Sequence, residues 1–173
     1  MSLLRSHGIT RDYNAMQNKS FEPWYYEQLD LGFNYRMTDI QAALGISQLS
    51  RLDKYVERRN ILAQRYDELL SELPVKLPTI QKENYSSFHL YVIRLKKKLI
   101  SKTYAEVFHY LRDNYIGVNL HYIPVHLQPY YRKLGFTKGS FIEAERHAEE
   151  AITLPMYPNL EESNQDFIAE TLK

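Results

Sequence analysis

The stretch LGFNYRMTDIQAALGISQL, residues 31–49, decides how the chain divides, because a segment without periodicity gives way here to a helix. Thr38 and Gln41 stand at capping-box spacing: the hydroxyl accepts from a backbone amide at the third helical position, and the Gln side chain reaches back to the cap. Asp39 adds a carboxylate in the first turn, where the helix dipole favours negative charge. A helix is therefore expected from about Thr38. Its first turns carry Ile40, Ala42, Ala43, Leu44, Gly45, Ile46 and Leu49 on more than one side, the pattern of a helix buried all round. Farther on, Leu52, Tyr55, Val56, Arg59, Leu62, Ala63, Tyr66, Leu69 and Leu70 narrow to one stripe, with Lys54, Glu57, Arg58, Gln64 and Glu68 opposite. One rod over residues 38–72 is predicted, passing from a buried setting to a surface one. Such a rod suits a connector between two bodies, one of which need not lie in this chain.

Composition bounds the rest. The 173 residues are 44% hydrophobic and 25% charged, ordinary for a globular domain with its own core. A net charge of +1 offers no broad field for nucleic acid or an anionic membrane, so Lys96, Lys97 and Lys98 read as a solvated turn after a strand. The absence of Cys excludes disulfides and thiolate metal sites and is compatible with a reducing cytoplasm. No apolar run approaches the ~18–20 residues of a membrane span, and the opening MSLLRSHGITRD lacks the apolar centre of a signal peptide. The expectation is a soluble cytoplasmic protein.

Before the helix, residues 1–30 show neither helical nor strand period, which is long for a structureless loop inside a compact domain. Trp24, Tyr25 and Tyr26 argue that this segment covers something. After the helix, Leu73 and Pro74 end the ladder, and residues 75–77 form a short extended piece. Residues 87–95 are apolar on both alternating sets, as in a strand covered on most of both faces and central to its sheet. Thr103 and Glu106 repeat the capping-box spacing, opening a helix that Gly117 can close. A second strand is expected at 118–123, stopped by Pro124. Ser140 with Glu143 signals a third helix through about Glu150, residues 151–154 a brief strand, and Asn159 with Glu162 a last helix. Strands separated by helices predict an α/β or α+β layer structure, a sheet with helices packed on it.

Chemistry is harder to find. There is no HExxH, no Gly-rich phosphate loop and no GxSxG elbow. His121 and His126 flank a proline, and a zinc site there would need further ligands that the sequence does not advertise. Taken alone, His121 reads as a structural hydrogen-bonding histidine, Asn34 as a turn residue and Arg36 as half of a salt bridge.

A resemblance changes that weighting. NYRMTDIQAALG, preceded by WYYEQLDLGF, resembles the segment that follows the lysine region in the pyridoxal-phosphate sugar aminotransferases of the DegT/DnrJ/StrS family. SFHLY at 87–91, NLHYIPVHLQPYY at 119–131 and TLPMYP at 153–158 resemble the same family in the same order. The likeness implies the C-terminal part of a fold-type I pyridoxal-phosphate-dependent transferase. Residues 1–37 would be the remainder of a large cofactor domain and its loop, 38–72 the connecting helix, and 73–173 a small C-terminal α/β domain. Within the family the likeness runs to members that aminate a UDP-4-keto-6-deoxy-N-acetylhexosamine on the route to pseudaminic acid, with glutamate the expected amino donor and a homodimer the expected assembly.

The resemblance also assigns residues. The family's cofactor-bearing lysine would precede this sequence, so no catalytic residue is carried over, and the chain alone is expected to be inactive. Asn34 matches the asparagine that reaches the cofactor phosphate from the neighbouring subunit, and Arg36 would face the substrate phosphates or the subunit contact. Asn119, Leu120, His121 and Tyr122 match the substrate-lining strand and loop. The alternative, from a different class, is a catalytically silent module that docks or dimerises through the long helix.

Overall fold

A computed structural model describes residues 1–20 and 22–173. The chain forms two compact units, Met1–Arg51 and Leu52–Lys173. In the first, backbone pairing substitutes for a core. Strands β1 (Ile9–Thr10) and β2 (Glu27–Gln28) pair antiparallel, and the residue 3–8 backbone is tied to residues 29–35. Those ties include His7 N to Phe33 O at 2.9 Å, Phe33 N to Leu4 O at 2.7 Å and Leu29 N to Gly8 O at 2.8 Å. Two glycines permit this approach: a Cβ on Gly8 would lie 1.8 Å from the Asp30 carbonyl oxygen, and one on Gly32 would lie 2.2 Å from the Gly8 nitrogen. The aperiodicity of residues 1–30 is thus that of a loop held by its main chain.

The single rod expected over 38–72 is two helices, α1 (Asp39–Leu49) and α2 (Leu52–Leu69), so the boundaries expected at 37/38 and 72/73 differ from the division observed after Arg51. The capping box that starts α1 is present in both directions, with Gln41 N to Thr38 Oγ1 at 3.3 Å and Thr38 N to Gln41 Oε1 at 3.0 Å. The break falls at Ser50 and Arg51. There Ser50 Oγ donates to the Ser47 carbonyl at 2.8 Å, and Arg51 N–H bonds Gln48 O in a tighter turn. A serine hydroxyl competing for helix carbonyls is a known way to end a ladder. The apolar face of α1 carries no buried residue; Ile40, Leu44, Ile46 and Leu49 are all exposed. The expectation of a helix buried all round is therefore not met within this chain.

The second unit owns the core. A three-stranded antiparallel sheet runs in the order β3 (Val75–Lys76), β4 (Tyr91–Leu95), β5 (Ala151–Leu154), with Ile93 opposite Ile152 and Tyr91 opposite Leu154. β4 is central, as its double-sided apolar pattern predicts. Leu62, Ala63 and Tyr66 of α2 are buried with Leu70, Tyr91, Ile93, Leu111, Ile152, Leu154 and Ile168 in one cluster. Helix α6 (Glu162–Leu172) lies along α2, joined by Arg65 to Asp166 at 2.8 Å and by Gln165 Nε2 to the Leu62 carbonyl at 2.9 Å. Arg59 belongs to the inward stripe because its guanidinium donates to the carbonyls of Phe88 and His89, both at 3.1 Å.

Local signals vary in how far they carry. Thr103 and Glu106 form the predicted box at the start of α3 (Tyr104–Asp113). Its end is earlier than Gly117: Tyr115 adopts φ 62°, with Ile116 N to Leu111 O and Tyr115 N to Arg112 O completing a Schellman turn. The third helix, α5 (Ile142–Glu150), follows the short α4 (Pro129–Arg132). It starts without the Ser140–Glu143 box, because Ser140 Oγ accepts from the Thr137 amide instead. The Asn159–Glu162 pair also fails as a box; Glu161 is the cap residue of α6. The strand expected at 118–123 is reduced to one antiparallel bridge, Asn119 with Thr153.

Candidate functional site

The sequence-derived residues fall in both units. In the first, the bridge between Ser6 and Asn34 and the bonds of Phe33 N to Leu4 O and Tyr35 N to Arg5 O hold residues 33–35 extended. In an extended segment alternate side chains share a face. Phe33 and Tyr35 accordingly stack, with ring centroids 5.0 Å apart, and Asn34 points the other way, exposed. Its amide has no hydrogen-bond partner among the described residues, and Arg36, also exposed, has no ion-pair partner among them. An unspent amide and an unspent guanidinium form a donor set that a phosphate group fits.

Nearby, Glu27 collects the amides of Gln17 at 2.7 Å and Asn18 at 2.8 Å, and the Tyr25 hydroxyl at 2.8 Å. Desolvation raises the Glu27 pKa, but these donors outweigh it and bring it down to about 2. Trp24 and Tyr26 remain largely exposed.

In the second unit, residues 119–122 leave the sheet edge. Asn119 exchanges both backbone bonds with Thr153, at 3.3 and 2.8 Å, and its side-chain carbonyl then accepts the Leu120 amide at 2.8 Å, turning the chain away from β5. His121 is half-buried, with Nδ1 2.8 Å from Thr153 Oγ1 and its carbonyl 3.4 Å from His147 Nε2. Tyr122 is exposed, its ring edge-on to the imidazole with centroids 4.6 Å apart; Leu120 is half-buried. The segment thus presents an imidazole, an amide and a phenol on a short, well-anchored ledge. Thr153 and His147 are parts of this ledge that the sequence did not single out. TLPMYP begins at Thr153, whereas nothing in the sequence marks His147.

His126 does not join His121. It donates from Nε2 to Glu145 Oε1 at 2.8 Å, and the same oxygen accepts from the Gly139 amide at 2.7 Å. The hydrogen bond from His126, opposed by desolvation and helped by the amides of Gly139 and Phe141, holds Glu145 below the usual carboxylate range. This pair closes the loop after the ledge onto α5 from within.

Residues 1–173 match the DegT/DnrJ/EryC1/StrS aminotransferase family. The chain is 35% identical over 169 residues to a dTDP-3-amino-3,4,6-trideoxy-alpha-D-glucose transaminase of Micromonospora megalomicea, covering 94% of this chain and 44% of that protein. It is 32% identical over 174 residues to the UDP-4-amino-4,6-dideoxy-N-acetyl-beta-L-altrosamine transaminase of Campylobacter jejuni, covering 99% and 43%. Among solved structures, the PMP form of Spr1654 from Streptococcus pneumoniae, described as a sugar aminotransferase, superimposes with a TM-score of 0.85 at 30% identity. That match covers 99% of this chain and 41% of the other. The chain spans less than half the length of the curated relatives it matches. Over that span the mixed α/β fold is that of the pyridoxal-phosphate aminotransferase structures, and the chain belongs to the DegT/DnrJ/EryC1/StrS aminotransferase family.

Proposed function

We propose that the chain is the C-terminal portion of a pyridoxal-phosphate-dependent aminotransferase that moves an amino group from glutamate to the 4-keto carbon of a UDP-linked 6-deoxy-N-acetylhexosamine. The observation that carries this is the family match over all of residues 1–173. The UDP-sugar is supported by the name of the Campylobacter jejuni relative and the pseudaminic type by the similar structure of Helicobacter pylori PseC, an aminotransferase of pseudoaminic acid biosynthesis, while the dTDP-linked relative marks the competing substrate class. Pyridoxal phosphate, when bound, supplies the electron sink that makes amino transfer between two carbons possible.

The chain's own residues bind and orient. Asn34 donates its amide to the cofactor phosphate in a partner subunit's site, which makes a homodimer the functional assembly. Arg36 neutralises phosphate oxygens of the nucleotide. Asn119 and Tyr122 hold sugar hydroxyls, Leu120 covers an apolar ring face, and His121 Nε2 meets a sugar or phosphate oxygen. The lysine that carries the cofactor lies outside this chain, so the chain alone retains no pyridoxal phosphate and transfers no amino group. A cytoplasmic location is part of the same proposal, supported by the absence of Cys; among the described residues, no helix is long and apolar enough to cross a membrane.

The test uses a protein completed to the length of the relatives. Asn34→Ala should weaken cofactor retention in titration while leaving the fold intact, and His121→Ala should raise KM for the UDP-keto-sugar with cofactor still bound. Wild-type cofactor retention in Asn34→Ala would refute the phosphate assignment. Turnover of a dTDP-sugar in preference to the UDP-sugar would refute the substrate class.

A second reading, a silent docking or dimerisation module, draws on the exposed apolar face of α1, where Ile40 is 84% and Ile46 72% exposed. Light scattering on the chain separates the two when paired with the assay. Self-association abolished by Ile46→Glu, without any transaminase activity in the completed protein, would favour the module.

A further inference from the structure

We propose that Thr153 is a positioning residue whose hydroxyl decides which nitrogen of His121 carries the proton, so that the imidazole meets the nucleotide-sugar as a hydrogen-bond donor; this presupposes that residues 119–122 hold the sugar. Thr153 is 5% exposed, and both of its backbone groups are taken by Asn119, which anchors its main chain at the sheet edge. Oγ1 lies 2.8 Å from His121 Nδ1 and has no other partner among the described residues.

A hydroxyl has one hydrogen to give and two acceptor positions. Were Nδ1 protonated, the ring would donate to Oγ1 and the hydroxyl hydrogen would be left without an acceptor in a buried place, which folded proteins avoid. The opposite arrangement leaves nothing unpaired. Thr153 O–H donates to Nδ1, and the proton of the neutral imidazole sits on Nε2.

The rest of His121 is held as firmly. Its carbonyl faces His147 Nε2 at 3.4 Å, and since a carbonyl only accepts, His147 presents N–H there. The Tyr122 ring stands edge-on against the imidazole and restricts its rotation. Nε2–H is then the polar group left to meet a ligand. A donor at that point selects an acceptor oxygen, such as a sugar carbonyl, hydroxyl or diphosphate oxygen, and rejects a donor-only group such as an ammonium.

Long-range proton–nitrogen correlation spectra of the 173-residue chain, labelled with nitrogen-15 in histidine, read the tautomer directly. The expected result is Nε2–H for neutral His121 in the unaltered chain and in Thr153→Ser, with both tautomers populated in Thr153→Val. Nδ1–H in the unaltered chain would overturn the proposal, and that measurement needs no variant to fold.

In the protein completed to family length, Thr153→Val should raise KM for the UDP-keto-sugar about tenfold, the effect of one misdirected hydrogen bond. The same change should leave kcat within about twofold, and Thr153→Ser should restore KM. An unchanged KM in Thr153→Val, where His121→Ala raises it, would overturn the positioning role. A KM unchanged in His121→Ala would instead remove the sugar site from residues 119–122 and leave the tautomer result standing.

Discussion

The two units of this chain are built on different physical principles. Leu52–Lys173 buries a continuous apolar cluster between helices and a sheet, whereas among the described residues of Met1–Arg51 Met16 is the one buried hydrophobic side chain. The first unit is held by main-chain hydrogen bonds, two glycines in close approach and a carboxylate that gathers three donors. Burial of apolar area is non-directional and tolerates repacking, but a backbone lattice depends on each bond. A surface built that way presents polar groups such as Asn34 with accuracy, and it draws little stability from a core of its own.

Truncation of the core should give the largest contrast. Leu62→Ala, at a fully buried site of α2, should cost about 2–5 kcal/mol in urea denaturation of the chain, while Ile46→Ala on exposed α1 should stay within about 0.5 kcal/mol. Equal losses would mean that α1 is covered in solution. Gly8→Ala tests the other principle. With a backbone oxygen where the new methyl must go and φ at +70°, it should cost the first unit about 1–3 kcal/mol. Amide exchange should quicken at His7, Leu29 and Phe33 while protection at Ile93 and Ile152 is unchanged; loss of protection in both places would show that the units do not act separately.

Smaller effects come from helix ends. Thr103→Ala removes the cap of a packed helix and should lower stability by about 1 kcal/mol, whereas Thr38→Ala, with the same box, should only fray α1. Tyr115→Gly should stabilise the second unit by roughly 1 kcal/mol, because the αL position of the Schellman turn favours glycine and the Tyr side chain is 99% exposed. A destabilised Tyr115→Gly protein would mean that the ring has a partner in solution.

The pH response should again separate the units. Glu27 titrates at about 2 in the folded chain, below its ordinary value of 4.5, so its contribution is complete above the ordinary value and is lost as pH falls through about 2. The amide signals of Gln17 and Asn18 should move across that window and stay still in Glu27→Gln. Movement centred near the ordinary carboxylate value would show that the three donors do not hold it.

Capping boxes at Thr38 and Thr103 were legible because every atom they need lies within four residues. The stripe on α2 was legible too, since its spacing matches the helix and the sheet covers it. β4 declared itself by being apolar on both faces.

Other boundaries were settled by competition at a distance. Ser140 and Asn159 have the right spacing for boxes, yet Ser140 is engaged by Thr137, and α6 begins beyond Asn159 with Glu161 as its cap residue. The 118–123 stretch alternates like a strand, but β5 spans only Ala151–Leu154, and after Asn119 the chain bonds to itself and to His147 instead. The break after α1 turns on where two serines place their bonds.

The sequence by itself determined the family and the starts of α1 and α3, because those depend on residue types in a fixed local order. Only the tertiary structure decided that Thr153 and His147 hold His121, that His126 is spent on Glu145, and that the Asn34 side chain has no partner among the described residues. Hydrogen-bond partners 19 to 32 residues apart are chosen by how the chain folds back, and local spacing carries no record of that choice.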